Sequence, residues 1–244
     1  MEREKTRIAA IGDIHTRISD KGQWQELFSE VSRRADVLLI CGDLTDTGDE
    51  EEAEVLVEEL KACSIPVVAV LGNHDFEKGR QKIIRQILTD NKVTILEGES
   101  IVIENVGFAG TKGFGGGFDS YMLSMFGEDS MKAFVQEAVD ESLKLDRALS
   151  RLEQEYPDIP KIALLHYSPI KETVVGEPEQ IYPFLGSSRL VEPLHRRNVF
   201  ATFHGHAHAG KFEGVTSGGV RVFNVALPVL RSANHDFPFY ILEV

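Results

Sequence analysis

The chain has 244 residues, 42% of them hydrophobic and 27% charged, so it can bury a core and has the composition of an ordinary globular protein. Its formal net charge of −13 repels phosphate backbones, which argues against a nucleic-acid partner. No apolar run approaches the ~20 residues of a membrane span, MEREKTR at the amino terminus lacks the apolar stretch of a secretory signal, and two cysteines form no disulfide framework; we therefore expect a cytoplasmic protein with no membrane partner.

The first third of the chain alternates short apolar runs with amphipathic helical patterns. Three apolar runs have the length of buried strands, and they lie at 7–11, 37–41 and 67–71. Helical faces recur between them, at 24–35 and at 53–60, the second behind a start signal formed by Thr47 and Glu50. This β-α-β-α-β order predicts a parallel sheet with right-handed crossovers.

The remaining two thirds of the chain are less regular. The predicted elements are a helix at 76–90, a hairpin at 100–110, a helix at 130–156, strands at 161–165 and 199–203, and antiparallel pairs near the carboxyl terminus from the patterns at 219–225 and 239–243. No low-complexity linker divides the chain. We therefore predict one α/β domain spanning 1–244, with two packed sheets flanked by helices.

Polar residues follow each of the first three strands at a fixed period. The strands end in GDIH, GD and GNHD, so that Asp13, Asp43 and Asn73 stand 30 positions apart. A βαβ unit is roughly 30 residues long, and each unit returns the chain to the same edge of the sheet. Open α/β sheets place their ligands at that edge, so we expect these side chains to converge.

Later strand ends contribute imidazoles. His166 follows the run at 162–165, and His206 and His208 flank a turn in GHAH. Together with His15, the set contains carboxylate, amide and imidazole ligands, which suit Mn, Fe or Zn. The seven candidates are too many for one tetrahedral ion but suit two ions if one carboxylate bridges them, and we predict Asp43 as that bridge because its strand is the middle one. Two metals about 3.5–4 Å apart form a clamp for phosphate ester hydrolysis.

Each motif alone also fits a structural explanation. A Gly-Asp pair at a strand end is usually a turn or a helix cap, Asn73 alone is typical of a turn, and His166 alone is typical of a buried core histidine. We expect His204 to serve packing or to support the ligands, and His195 to lie at a helix end. The combination of five strand ends that all carry ligand-type residues favours a metal site.

The constellation resembles the calcineurin-like metallophosphoesterase family. The stretches that carry the resemblance are GDIH at 12–15, GDLTD at 42–46, GNHD at 72–75, LLHYSP at 164–169 and GHAH at 205–208. The resemblance implies a four-layer αββα sandwich with a dinuclear centre. It implies that one metal is held by Asp13, His15, Asp43 and His208, and the other by Asp43, Asn73, His166 and His206.

A hydrolytic mechanism follows as a hypothesis. A hydroxide held between the two ions attacks phosphorus, and His74 either protonates the leaving oxygen or hydrogen-bonds the pentacoordinate state. Asp75 either orients and charges that imidazole or caps a helix that starts at Phe76. The expected substrate is a small phosphate monoester or diester, which includes nucleotides.

Two long connections are candidates for choosing the substrate. The segment 110–128 forms either a mobile lip, with Lys112, Phe114 and Phe118 over the metals, or a plain flexible loop. The segment 170–189 is long for a connection in a compact domain. In it, Lys171 and Arg189 are candidate phosphate contacts, with Arg189 alternatively starting a helix that Ser188 caps. Its apolar residues either stack on a base or bury a contact between two copies of the chain, and these are Tyr182, Phe184 and Leu185.

Three other functions are considered. A nuclease would share the chemistry, but it predicts a basic, aromatic-rich groove that the net charge does not favour. A scaffold that has lost hydrolysis would be expected to lack ligands or the acid histidine, which are present here. A structural zinc site would be rich in cysteine.

Overall fold

Two mixed β-sheets lie face to face in the computed structural model, which describes residues 5–233 and 237–244. The first sheet has five strands in the order β11-β1-β2-β3-β4, and the second has six in the order β5-β6-β7-β8-β10-β9. The strands are β1 (Arg7–Ile11), β2 (Val37–Cys41), β3 (Val67–Val70), β4 (Val93–Ile95), β5 (Glu99–Ile103), β6 (Val106–Gly110), β7 (Lys161–Leu164), β8 (Ala201–His204), β9 (Glu213–Val215), β10 (Arg221–Asn224) and β11 (Tyr240–Glu243).

Helices cover the outer faces of the two sheets. They are α1 (Gln25–Arg34), α2 (Glu50–Leu60), α3 (Gln81–Asp90), α4 (Asp129–Glu155), α5 (Tyr182–Leu185), α6 (Val191–Arg196) and α7 (Leu227–Ser232). In the first sheet α1 packs on β1 and α3 on β4, with α2 between these two helices, and in the second sheet α4 packs on β5 and β6. These layers confirm the predicted fold class, an α/β arrangement of two sheets flanked by helices.

The hydrophobic core lies between the sheets. All five residues of β2 are buried, as expected for a central parallel strand with both faces covered. The same apolar cluster includes Phe108, Phe203 and Phe223 of the second sheet. Both sheets therefore share one continuous core.

The strand order brings the predicted site residues to one edge. β1, β2 and β3 are parallel neighbours with β2 in the middle, so the segments that follow them leave the sheet side by side. In the second sheet β7 and β8 are also parallel neighbours. The residues that follow these five strands form the site described below.

Several element boundaries differ from the sequence predictions. The helix expected at 76–90 is a single 3-10 turn at His74–Phe76, followed by α3 from Gln81; Gly79, with φ of +68°, breaks the helix between them. The α2 start signal is also shifted, because Asp49 and Glu52 form the capping box expected from Thr47 and Glu50.

The carboxyl-terminal strands pair as antiparallel partners, but not with each other. β10 pairs with β9 in the second sheet, whereas β11 crosses to pair with β1 at the edge of the first. β10 also pairs in parallel with β8, so the alternating pattern predicted only part of the pairing and could not indicate the partners. The amino-terminal residues 1–4 and His235 lie outside the described residues.

Candidate metal centre

Four of the predicted ligand residues have left-handed backbone conformations. The φ angles are 56° at Asp13, 47° at His15, 48° at Asp43 and 69° at His206. Non-glycine residues seldom adopt φ > 0, and the cost is of order 1–3 kcal/mol at each position. Such strain clustered at the ends of neighbouring strands is typical of a functional site.

The first group of ligand-type side chains consists of Asp13, His15 and His208. One potential ligand atom from each lies within 4.8 Å of those of the other two. His208 Nε2 is 2.9 Å from Asp13 Oδ1, and this hydrogen bond raises the pKa of His208. Both ring nitrogens of His15 are buried and have no hydrogen-bond partner, which is costly unless a ligand satisfies them.

The second group consists of Asp43, His166 and His206, again with ligand atoms within 4.8 Å of one another. Asn73 joins it, because its Oδ1 lies 2.8 Å from His166 Nε2. His166 Nδ1 faces the carbonyl oxygen of Cys41 at 3.0 Å, so this nitrogen carries the proton and Nε2 is an acceptor. With the amide oriented as the structure has it, acceptors on Asn73 and His166 face each other, as they would around a cation.

The second imidazole of this group is held in a similar way. His206 Nε2 lies 3.1 Å from the carbonyl oxygen of Phe184, which assigns the proton to Nε2 and leaves Nδ1 as the available ligand atom. The sequence could not predict this contact of His206, because every residue type carries a backbone carbonyl.

Asp43 lies between the two groups. Its Oδ2 is 3.7 Å from His15 Nε2 in the first group, and its Oδ1 is 3.4 Å from His166 Nε2 in the second. The carboxylate is 1% exposed. This is the geometry that a shared, bridging ligand requires.

Glycines make the close approach of the strand ends possible. A Cβ added to Gly72 would overlap with Asp43 Oδ1, and one added to Gly205 would overlap with Asp13 Oδ2. These glycines therefore leave room for a ligand side chain that arrives from another strand.

Burial and mutual repulsion favour cation binding. Burial, with the charge of Asp13, raises the pKa of Asp43 well above its usual range. Burial lowers the pKa of His166 well below its usual range and that of His206 to about 3. The imidazoles of His166 and His206 are therefore neutral and able to act as ligands, while the buried Asp43 carboxylate lies beside the like charge of Asp13. Oxygen and imidazole donors of this kind fit a pair of divalent cations.

His74 stands beside the first group without belonging to it. Its ring centroid is 4.5 Å from that of His15, and its side chain is 37% exposed. His74 Nδ1 donates a hydrogen bond to the carbonyl oxygen of Asp46 at 2.6 Å. Nε2 is thereby left as the ring nitrogen that can exchange a proton with a bound molecule.

Asp46 is a residue whose role the sequence reasoning missed. Its Oδ1 lies 3.6 Å from His15 Nδ1, and Arg17 donates to its Oδ2 at 2.9 Å. Asp46, His15 and His74 also form a third group with ligand atoms within 4.8 Å of one another. The signal was present, since Asp46 is the last residue of GDLTD.

Asp75 does not occupy the position expected for it. Its buried carboxylate accepts hydrogen bonds from the backbone of Gly72, Leu44 and Thr45 and from the Thr45 hydroxyl. Asp75 thus ties the segment after β2 to the segment after β3, and the 3-10 turn begins with Asn73 as its cap. These contacts match neither of the two roles predicted for Asp75, which were orienting His74 and capping a helix.

The three residues predicted to contact the substrate are engaged with other groups of the protein. Lys112 is 9% exposed; its ammonium donates to the carbonyl of Gly113 and lies 4.7 Å from the ring centroid of Phe114. Phe114 in turn packs against Phe134 and Tyr167. Arg189 donates to the carbonyl of Leu123, and the cap beside it is Ser187 rather than Ser188.

The two long connections pack against each other. All four glycines of the run 113–117 are buried, so neither a mobile lip nor an exposed flexible loop describes this run. Gly116 N–H donates to the carbonyl of Pro183, and Gly117 N–H to that of Gly186. A Cβ on Gly115 would lie 2.6 Å from the Pro183 carbonyl oxygen; the glycines therefore serve close packing.

Comparisons with known proteins agree with this geometry. A sequence profile described as calcineurin-like phosphoesterase matches residues 6–210. No curated protein matched the sequence. Among residues 5–233 and 237–244, no helix has the length and apolar character to cross a membrane.

Three solved structures illustrate the shared fold. The phosphopantetheinyl hydrolase of Mycobacterium tuberculosis aligns with a TM-score of 0.70 at 16% identity, over 98% of this chain and 96% of that chain. TT1561 of Thermus thermophilus aligns with a TM-score of 0.62 at 15% identity, over 99% of each chain. GAP50, the anchor in the inner membrane complex of Plasmodium, aligns with a TM-score of 0.55 at 14% identity, over 93% of this chain and 73% of that chain.

Proposed function

The chain belongs to the calcineurin-like phosphoesterase family, and on that premise we propose that it hydrolyses a small phosphate monoester or diester at a pair of metal ions. One observation supports the proposal above the others: the buried carboxylate of Asp43 lies 3.7 Å from His15 Nε2 and 3.4 Å from His166 Nε2. A carboxylate placed between two ligand groups is what a dinuclear centre needs.

Two sets of residues would hold the ions. The first set is Asp13, His15, Asp43 and His208, and the second is Asp43, Asn73, His166 and His206. Two divalent ions at these positions would supply Lewis acidity toward the phosphate and lower the pKa of bound water. This set of oxygen and imidazole donors is compatible with Mn, Fe and Zn.

His74 is the residue proposed to move a proton. Its Nδ1 is fixed by the Asp46 carbonyl, so Nε2 is the nitrogen proposed to protonate the leaving oxygen. A general acid of this kind typically contributes ~10²–10⁴-fold in rate. The ring is partly exposed, so it can reach a substrate. Its hydrogen bond to the Asp46 carbonyl keeps its orientation.

The alternative functions are less well supported. A nuclease would need a basic surface to hold the phosphate backbone, and the chain carries a net charge of −13. A scaffold role exists on this fold, since GAP50 is described as an anchor. Here His74 and seven ligand-type side chains converge at one edge, which a scaffold does not require.

The test combines metal content with activity. We expect the purified protein to bind two ions and to hydrolyse p-nitrophenyl phosphate or bis-p-nitrophenyl phosphate, with loss of activity on chelation and recovery with Mn²⁺. Asp43→Asn should lose metal and activity together. Asp36→Asn is the matched control, because Asp36 precedes the same strand that Asp43 follows. Full activity in metal-free protein, or in Asp43→Asn, would refute the proposal.

A further inference from the structure

We propose that a cavity beside the metal centre binds a heteroaromatic ring, and that the substrate is therefore a nucleoside phosphate; the second clause rests on the proposed function. The cavity has a volume of about 360 Å³, within the range of small-molecule sites. It is lined chiefly by Phe118, Tyr121, Lys171, Glu179 and Tyr182. We refer to it as the ring cavity.

The ring cavity adjoins the second ligand group. Phe118 and Tyr182 belong to one apolar cluster with Ala207, which stands between His206 and His208 in the chain. Two residues after Tyr182, the Phe184 carbonyl accepts the hydrogen bond from His206 Nε2. The cavity lining thus contacts the turn that carries His206 and His208, as one small molecule spanning the metals and the cavity would require.

The walls of the cavity suit an aromatic guest. The rings of Phe118 and Tyr182 are nearly perpendicular, at 84°, with centroids 6.4 Å apart. A third ring, on Tyr121, is 82% exposed, although it lies beside this apolar lining. Because Phe118 is itself only 3% exposed, the aromatic surface open to a planar ring is that of Tyr182 and Tyr121, on which such a ring can stack.

Charged groups at the cavity give the guest a polar edge. The ammonium of Lys171 lies 5.9 Å from the Tyr182 ring centroid, and Glu179 is exposed at the same cavity. Within residues 5–233 and 237–244, neither takes part in an ion pair with another side chain. One donor and one acceptor without ionic partners match the edge of a nucleobase, which carries both kinds of group, better than an aliphatic chain.

The cavity is formed before any ligand arrives. Its two sides come from the segments 117–121 and 171–183, which are joined by backbone hydrogen bonds from Gly116 to Pro183 and from Ser188 to Gly117. Glu177 also accepts a hydrogen bond from the backbone of Ala209, which fixes this side to the turn that carries the metal ligands. A preorganised site loses little affinity to ordering.

The first experiment measures binding without hydrolysis. Adenosine, which has no phosphate, is titrated into the ¹⁵N-labelled protein, and we expect amide shifts confined to 117–121 and 171–183. Tyr121→Ala and Tyr182→Leu should each weaken adenosine binding about tenfold, since base stacking on an aromatic side chain is worth about that factor or more. Phe126→Ala is the matched control, because Phe126 is equally exposed but does not line the cavity, and its dissociation constant should be unchanged.

The second experiment measures specificity. We expect the ratio of kcat/KM for adenosine monophosphate to that for glycerol 3-phosphate to fall about tenfold in Tyr121→Ala and Tyr182→Leu and to stay constant in Phe126→Ala. No adenosine binding, or an unchanged ratio in the two tyrosine variants, would overturn the proposal, and a preference for 4′-phosphopantetheine over adenosine monophosphate would do the same. Adenosine binding at these residues without turnover of any ester would refute the hydrolase while supporting the ring cavity.

Discussion

At the scale of single residues, the site depends on the position of Asp43. Its backbone is left-handed, its carboxylate is buried, and burial with the charge of Asp13 raises its pKa well above the usual range. Each of these features is energetically unfavourable in the protein without bound metal. Cation binding would explain all three features. The cations would neutralise the carboxylates, and the inward-pointing side chain of Asp43 would serve as their ligand.

The role of His74 leads to a prediction about leaving groups. His74→Gln should retain two ions per chain, because no proposed ligand is changed. Its turnover should fall ~10²–10⁴-fold on alkyl phosphates. The loss should be smaller on p-nitrophenyl esters, since p-nitrophenolate departs without needing a proton. Paired metal analysis and steady-state kinetics test this expectation, and equal losses on both ester types would remove His74 from the role of general acid.

At the scale of elements, neighbouring strand ends must approach closely for the ligands to meet. Gly72→Ala introduces a methyl group that overlaps with Asp43. We expect this variant to fold with lower stability and to lose metal content, as measured by thermal unfolding and elemental analysis. Gly127→Ala is the control: nothing lies within 4 Å of its added methyl, although φ of +101° gives it a backbone cost. Normal metal content in Gly72→Ala would show that this close approach is dispensable.

An ion pair at the amino-terminal ends of β1 and β2, away from the candidate site, should affect stability without affecting function. Arg7 at the start of β1 donates to both carboxylate oxygens of Asp36, which precedes β2, and this lowers the pKa of Asp36. A carboxylate with a lowered pKa contributes stability that is complete above the unfolded value of 3.8 and is lost as pH falls through the folded value. Both side chains are substantially exposed, so the contribution is at most about 1 kcal/mol.

The measurement for this pair is the unfolding free energy of Asp36→Asn as a function of pH. The variant should be slightly less stable than the parent at pH 7, and the difference should disappear in acid. Metal content should match the parent at neutral pH. A destabilisation that persists unchanged below the titration of Asp36 would mean that the charge of this pair does not cause it.

Elements with a clear period were predictable from sequence, and the connections between them were not. The apolar runs, the 30-residue spacing of Asp13, Asp43 and Asn73, and the resulting strand order follow from local patterns that tertiary packing reinforces. The contacts of Asp75 with the backbone of Leu44 and Thr45, about 30 residues earlier, leave no local pattern. The buried packing of the glycine run at 113–117 depends on Pro183 and Ser187, about 70 residues away, so composition alone could not reveal it.

At the scale of the whole molecule, the fold gathers segments from residue 13 to residue 208 at one edge. Two sheets that share a core hold β1, β2 and β3 against β7 and β8, and the site forms where all five end. A chain with a net charge of −13 can hold a phosphate ester only if positive charge is concentrated locally. In the proposed account, bound cations provide it.

The measurement that tests this account most directly is anomalous X-ray scattering from crystals grown with Mn²⁺. The account predicts two anomalous peaks per chain about 3.5–4 Å apart, one beside His15 and His208 and the other beside Asn73 and His166, both in contact with the carboxylate of Asp43. A single peak at full occupancy, or two peaks that do not share Asp43, would contradict it.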